Sequence, residues 1–167
     1  MEVLNNIWIA ISTPNEGLVN ILMTLATFVE AFIIMFLSTT LSNISSTKNQ
    51  KNMYLTIFII TSLISMYVIP NPFNIIFNYI VMFILFYTIF KCSILKSLLS
   101  MLVAIIVFAL VGTLILNPYL TILQIDSQQL NSIIIYKLGY LIIMYSITTI
   151  ISLIMKYRHI AIELLED

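Results

Sequence analysis

Residues 69–93 read IPNPFNIIFNYIVMFILFYTIFKCS. Proline supplies no N–H and disfavours helix in the residue before it, so Pro70-Asn71-Pro72 forces a tight turn. Asn71 then reads as an N-cap, with Pro72 at the first helical position. From Phe73 to Phe90 no charged residue occurs, and the run stops at Lys91-Cys92-Ser93. A spanning helix needs about 20 mostly apolar residues. Residues 73–90 therefore read as a membrane span entered through a proline turn and closed by a base.

The same punctuation continues on both sides. Upstream, 17–41 is a long apolar run that ends in the polar stretch 42–52 with Lys48 and Lys51, and 53–69 is a second. Downstream, 97–116 ends at Asn117-Pro118, a polar segment 119–132 holds Asp126, Gln128, Gln129 and Asn131, and 133–155 closes at Lys156-Tyr157-Arg158-His159. The expected fold is all-α: a polytopic transmembrane bundle of about five spans. Residues 1–16 place Val3, Leu4, Ile7, Trp8 and Ile11 at helical spacing opposite Glu2, Asn5 and Asn6, and are read as an interfacial helix. With Glu2 in place of a basic region, this start does not read as a secretory signal.

Composition agrees. Hydrophobic residues make up 61% of the 167 and charged ones 8%, against roughly 25% charged in a soluble domain. This excludes an ordinary soluble globular protein. One Cys and one His leave no disulfide framework and no all-protein zinc site. No Gly-rich phosphate loop, nucleophile with a base, or long basic run occurs, so no active site, no cofactor and no nucleic-acid partner are expected.

Lys and Arg collect in cytoplasmic loops. Lys48, Lys51, Lys91, Lys96, Lys156 and Arg158 all fall at alternate span ends, whereas the Pro70 turn and the Asp126 segment carry no base. The N-terminus is therefore expected outside and the C-terminus inside the plasma membrane of a bacterium. Tyr54, Tyr67, Tyr79, Tyr87, Tyr119, Tyr136 and Tyr157 are read as an interfacial aromatic belt, and Tyr140 and Tyr145 as facing other helices.

Two charged residues remain within apolar spans. Glu30 lies about 12 residues into the first span, roughly 18 Å below its outer end. An intramembrane carboxylate is costly unless it is partnered, faces a cavity or is protonated, so a ligand, ion or proton site is the default hypothesis. The plainer reading is a structural hydrogen bond to Thr61, Ser62 or Ser65. Lys137 lies one turn into the fifth span. The difference in depth from Glu30, about 12 Å, favours an outward snorkel with Asp126 or a ligand carboxylate over a direct pair with Glu30. Asn71, Asn74 and Asn78 form a stripe at i, i+3 and i+7 that lines a shallow outward pocket or bonds to neighbouring helices. Glu30, Asn71, Asn74, Asn78, Asp126 and Lys137 are thus the candidate ligand-binding residues. Ser93, Ser97 and Ser100 read as a close-packing stripe, Cys92 as a boundary thiol open to acylation or inert, and His159 as an interfacial anchor.

Residues 160–167, IAIELLED, read as the start of a cytoplasmic helix. The run 69–78, the segment Ile-Phe-Lys-Cys-Ser-Ile-Leu-Lys-Ser-Leu-Leu-Ser ending at Ser100, and a last span leading into Met-Lys-Tyr-Arg158 together resemble the N-terminal membrane sensor of accessory-gene-regulator-type, peptide-sensing histidine kinases of low-GC Gram-positive bacteria. The resemblance covers the chain from about Asn52 onward. It implies quorum sensing through a two-component system. An extracellular peptide would meet the outer segment 119–132, the asparagine stripe and the region of Lys137, and would shift the fifth span. The signal would then reach a cytoplasmic kinase through a homodimer contact after Lys156. In that family an acidic residue follows the phosphoacceptor His. Ile160 and Ala161 follow His159 here, so the chain carries the sensor portion, without enzymatic activity of its own. The alternative is a small substrate-binding membrane subunit of a transporter. Such subunits usually have six spans, and no Ala-x-x-x-Ala docking face occurs here.

Overall fold

The computed structural model describes residues 16–70, 73–158 and 160. Among them are six helices and no strand: α1 (Glu16–Leu41), α2 (Lys48–Val68), α3 (Phe73–Phe90), α4 (Ile94–Leu123), α5 (Ser127–Ser132) and α6 (Ile134–Tyr157).

Local chemistry sets the boundaries. Helix α1 ends where Asn43 adopts a left-handed φ of 49°, with the Asn43 and Ile44 N–H groups closing onto the Thr40 and Thr39 carbonyls. Asparagine tolerates that conformation better than most residues. Thr47 caps α2 in a reciprocal pair with Gln50, and Gln50 Nε2 also donates to the Ile89 carbonyl at 3.0 Å, tying the start of α2 to the end of α3. Helix α2 stops before Pro70, as the restricted backbone ahead of a proline requires. Ser93 caps α4.

Several boundaries differ from the sequence reading, α2 starting at Lys48 and α4 at Ile94, ahead of the expected 53 and 97. Helix α4 does not stop at Leu116 but carries Pro118 inside it and runs to Leu123. That proline costs the helix only the hydrogen bond to the Leu114 carbonyl, in its last turns. The polar segment after it is partly helical as well, since Asp126 caps the six-residue α5. At the C-terminus α6 ends at Tyr157 with Arg158 as its cap, so the helix is not continuous through Ile160. Residues 161–167, all but Glu16 of the interfacial helix expected at 1–16, Asn71 and His159 lie outside the described residues.

Helix α1 occupies the middle of the bundle, against α2, α4 and α6, while α2 pairs with α3, α3 with α4, and α4 with α6. Its Ala31, Ile34, Met35 and Leu37 are essentially inaccessible and meet Tyr54, Phe58, Met82, Phe86, Met101 and Ala104. Ser97 and Ser100 are fully buried, as their small-residue stripe predicts for a close helix contact. The belt reading fails for Tyr54, which is wholly buried in this core. Tyr140 and Tyr145 do face other helices, donating to the Gly112 and Ala26 carbonyls, each at 3.0 Å.

The outer faces are apolar stripes at i, i+4 spacing: Ile76, Ile80 and Ile84 on α3, and Leu102, Ile106, Leu110 and Leu114 on α4, all exposed. Water would penalise such faces and a lipid solvent does not. Hydroxyls on the helices bond back to carbonyls three or four residues earlier, as Thr61, Thr113, Thr148 and Ser152 do, so few polar groups meet the apolar surroundings unpaired. Four helices among the described residues are long and apolar enough to cross a membrane: α1, α3, α4 and α6. Helix α2, which holds the second span of the sequence reading, does not meet that measure and opens with the polar turn Lys48-Asn49-Gln50-Lys51-Asn52. The fold is an all-α bundle suited to a membrane.

Candidate functional site: a polar cavity in an apolar bundle

Most of the polar residues singled out in the apolar sequence converge. A cavity of about 410 Å³ opens among α1, α2, α3 and α6, lined by Thr27, Glu30, Phe58, Ser62, Asn74, Ile75, Asn78, Tyr79, Met82 and Lys137. Four of the six candidate residues thus share one space.

Each is delivered by its helix. Glu30 lies past the middle of α1, just before the buried stretch that starts at Ala31. Asn74 and Asn78 sit in the first two turns of α3, one helical turn apart and therefore on one face. Lys137 lies in the first turn of α6. That turn is fixed by Tyr119 near the end of α4, whose hydroxyl donates to the Tyr136 carbonyl at 2.7 Å. The proline-bearing extension of α4 thereby holds the backbone next to the lysine.

The carboxylate has a partner of its own. Tyr79 Oη donates to Glu30 Oε1 at 3.2 Å, which replaces the expected bond from Thr61, Ser62 or Ser65. Ser65 instead donates to Asn78 Oδ1 at 2.9 Å, leaving the Asn78 amide nitrogen as a donor. Asn74 Oδ1 is buried with no hydrogen-bond partner among the described residues. An unpaired buried carbonyl oxygen costs roughly 1–3 kcal/mol, and this one is closed off behind the cavity wall. Glu30 and Lys137 line the same space without a direct ion pair between them.

Among the described candidates, one lies elsewhere. Asp126 accepts from the Gln129 N–H at 2.6 Å while Gln129 Oε1 accepts from the Asp126 N–H at 3.1 Å. It is a helix cap and, among the described residues, not a partner of Lys137. Asn71 lies outside the described residues. Cys92, half-buried, lies with its Sγ 3.1 Å from Ser97 Oγ.

Sequence reasoning missed Tyr79, taken for a belt residue, and Ser62 as cavity wall. A signal for Tyr79 existed: Ile75, Asn78, Tyr79 and Met82 follow the i, i+3, i+4, i+7 spacing of one helical face, and all four line the cavity. Among the described residues no cluster of three or more His, Cys, Asp or Glu could hold a metal.

The cavity can bind a ligand bearing both signs of charge and amide groups. Lys137 suits a carboxylate, Glu30 an ammonium and the Asn78 amide an acceptor. No family model, curated protein or solved structure matches the chain.

Proposed function

We propose that the chain is the membrane sensor portion of a signalling protein and that its polar cavity receives part of an extracellular peptide. One observation carries this reading: opposite charges and two asparagine amides, rare in such an apolar chain, surround one cavity at the end of the bundle where α3 and α6 begin. The charge pattern supports placing that end outside and the Lys156 end in the cytoplasm of a bacterial cell. A peptide backbone offers carbonyl acceptors for the Asn78 amide, and its termini or side chains offer the charges.

The route onward runs through α6. Lys137 lies in its first turn, Tyr145 bonds it to Ala26 of α1, and it leaves the bundle at Lys156. A ligand engaging Lys137 and Glu30 together changes how α6 sits against α1, and a cytoplasmic histidine kinase module joined after α6 would receive that shift. The chain itself then acts as a receptor and performs no catalysis.

Two measurements test this. With Cys92 replaced by Ser and a single Cys at Asn78, a membrane-impermeant thiol reagent is expected to label intact cells from outside; labelling only in inverted vesicles would overturn the orientation. In lipid nanodiscs, the peptide fraction of medium conditioned by the source cells is expected to raise the unfolding midpoint of the wild type and not of Glu30→Leu or Lys137→Met. An equal shift after protease digestion of that fraction would overturn the peptide reading and point to a small transported solute.

A further inference from the structure

At the opposite end of the bundle, where α1 and α6 stop and α2 starts, lies a second cavity of about 430 Å³. Lys51 and Lys156 both line it, together with Ser45, Ser46, Thr39 and Thr40, the two threonine hydroxyls donating to the Phe36 carbonyl. Among the described residues no acid lines it. Lys156 Nζ lies 5.3 Å from the centre of the Phe36 ring, which also lines the cavity. That contact is a cation–π interaction that holds the ammonium at the mouth.

We propose that this cavity binds a phosphate group, either the headgroup of an anionic phospholipid or a free phosphate. Two ammonium groups at one cavity favour an anion, and the Ser45 and Ser46 hydroxyls beside them are donors that phosphate oxygens accept from. A phospholipid also fits the neighbourhood. Phe32, exposed, stacks on Phe36 at 6.4 Å between ring centres, so an apolar face for an acyl chain runs directly away from the cavity. The inference does not rest on the reading of the Glu30 cavity, which lies at the other end.

The test uses the full chain in detergent with equimolar phosphatidylglycerol and phosphatidylcholine, bound lipid being read by native mass spectrometry. Each lysine near a headgroup contributes enough for the pair to favour phosphatidylglycerol by about tenfold or more. Lys51→Gln/Lys156→Gln is expected to abolish that preference. Lys51→Arg/Lys156→Arg is expected to keep it, and so is Lys48→Gln/Lys96→Gln, which removes two lysines outside the cavity. If the wild type shows no lipid preference but inorganic phosphate raises its unfolding midpoint in phosphatidylcholine nanodiscs through Lys51 and Lys156, the occupant is free phosphate. The proposal is overturned if the wild type shows neither effect, or if the two double-glutamine variants lose the preference equally.

Discussion

Tyr79 reaches from α3 to α1 and gives its hydroxyl hydrogen to Glu30 Oε1 at 3.2 Å. Residues forty-nine positions apart are thereby coupled at the wall of the polar cavity, and the carboxyl does not face apolar surroundings alone. Glu30→Gln keeps an acceptor for the tyrosine and is expected to fold as wild type. Glu30→Leu and Tyr79→Phe each break the bond, and such a hydrogen bond contributes about 0.5–1.5 kcal/mol. Denaturant titration of the two single variants and the double one should show a coupling of that order. Additive effects would mean that the bond does not form.

Gly139 sits under the Tyr119 hydroxyl, and a Cβ placed there would lie 2.6 Å from that oxygen. Gly139→Ala is therefore expected to displace Tyr119 from the Tyr136 carbonyl and to destabilise the bundle by about 1–3 kcal/mol. In a Tyr119→Phe background the nearest tyrosine atom would be the ring carbon at 3.6 Å, ordinary contact, and the same substitution should cost much less. Unfolding midpoints of the four combinations check this, and equal costs in both backgrounds would contradict it.

The hydroxyl of Tyr54 is buried without a partner among the described residues. Removing an unsatisfied hydroxyl while keeping the ring in place against Phe90, 5.9 Å away between ring centres, is expected to be neutral or to stabilise by about 1 kcal/mol. Thermal unfolding of Tyr54→Phe reads this directly. A marked loss of stability would reveal a partner for the hydroxyl.

Asp126→Ala removes the cap of α5, a loss of about 1 kcal/mol. Hydrogen exchange should accelerate over Ser127–Ser132, while the response of the Glu30 cavity to added peptide stays as in wild type. A lost response would return Asp126 to the binding site.

The helices were legible because charges and prolines mark their ends in a chain with few of either. Lys91 and Pro70 bracket α3 for that reason. Two of the boundaries were missed: α2 takes in Lys48 and Lys51 of the polar stretch 42–52, and α4 continues through Pro118 for about two turns past 116. The site was legible through rarity, since Glu30 and Lys137 are charges in apolar runs and the asparagines share a face. Depth along the helices argued against a direct pair, and none is seen, but a cavity can gather residues whose backbones lie at different depths. Partner choice was not legible. Tyr79 outcompetes the serines of α2 for Glu30 because of how α3 rotates against α1, and rotation is settled by the whole core.

Helix α4 has 30 residues, a length of about 45 Å at the usual rise, while the hydrocarbon layer is about 30 Å thick. A helix that much longer must lean or stand clear at its tip. The tip carries Tyr119, whose bond to Tyr136 fixes the turn bearing Lys137. Thinning or thickening the bilayer therefore changes the lean of α4 and, through that bond, the position of the lysine, so the acyl-chain length of the host membrane becomes a variable in any ligand response.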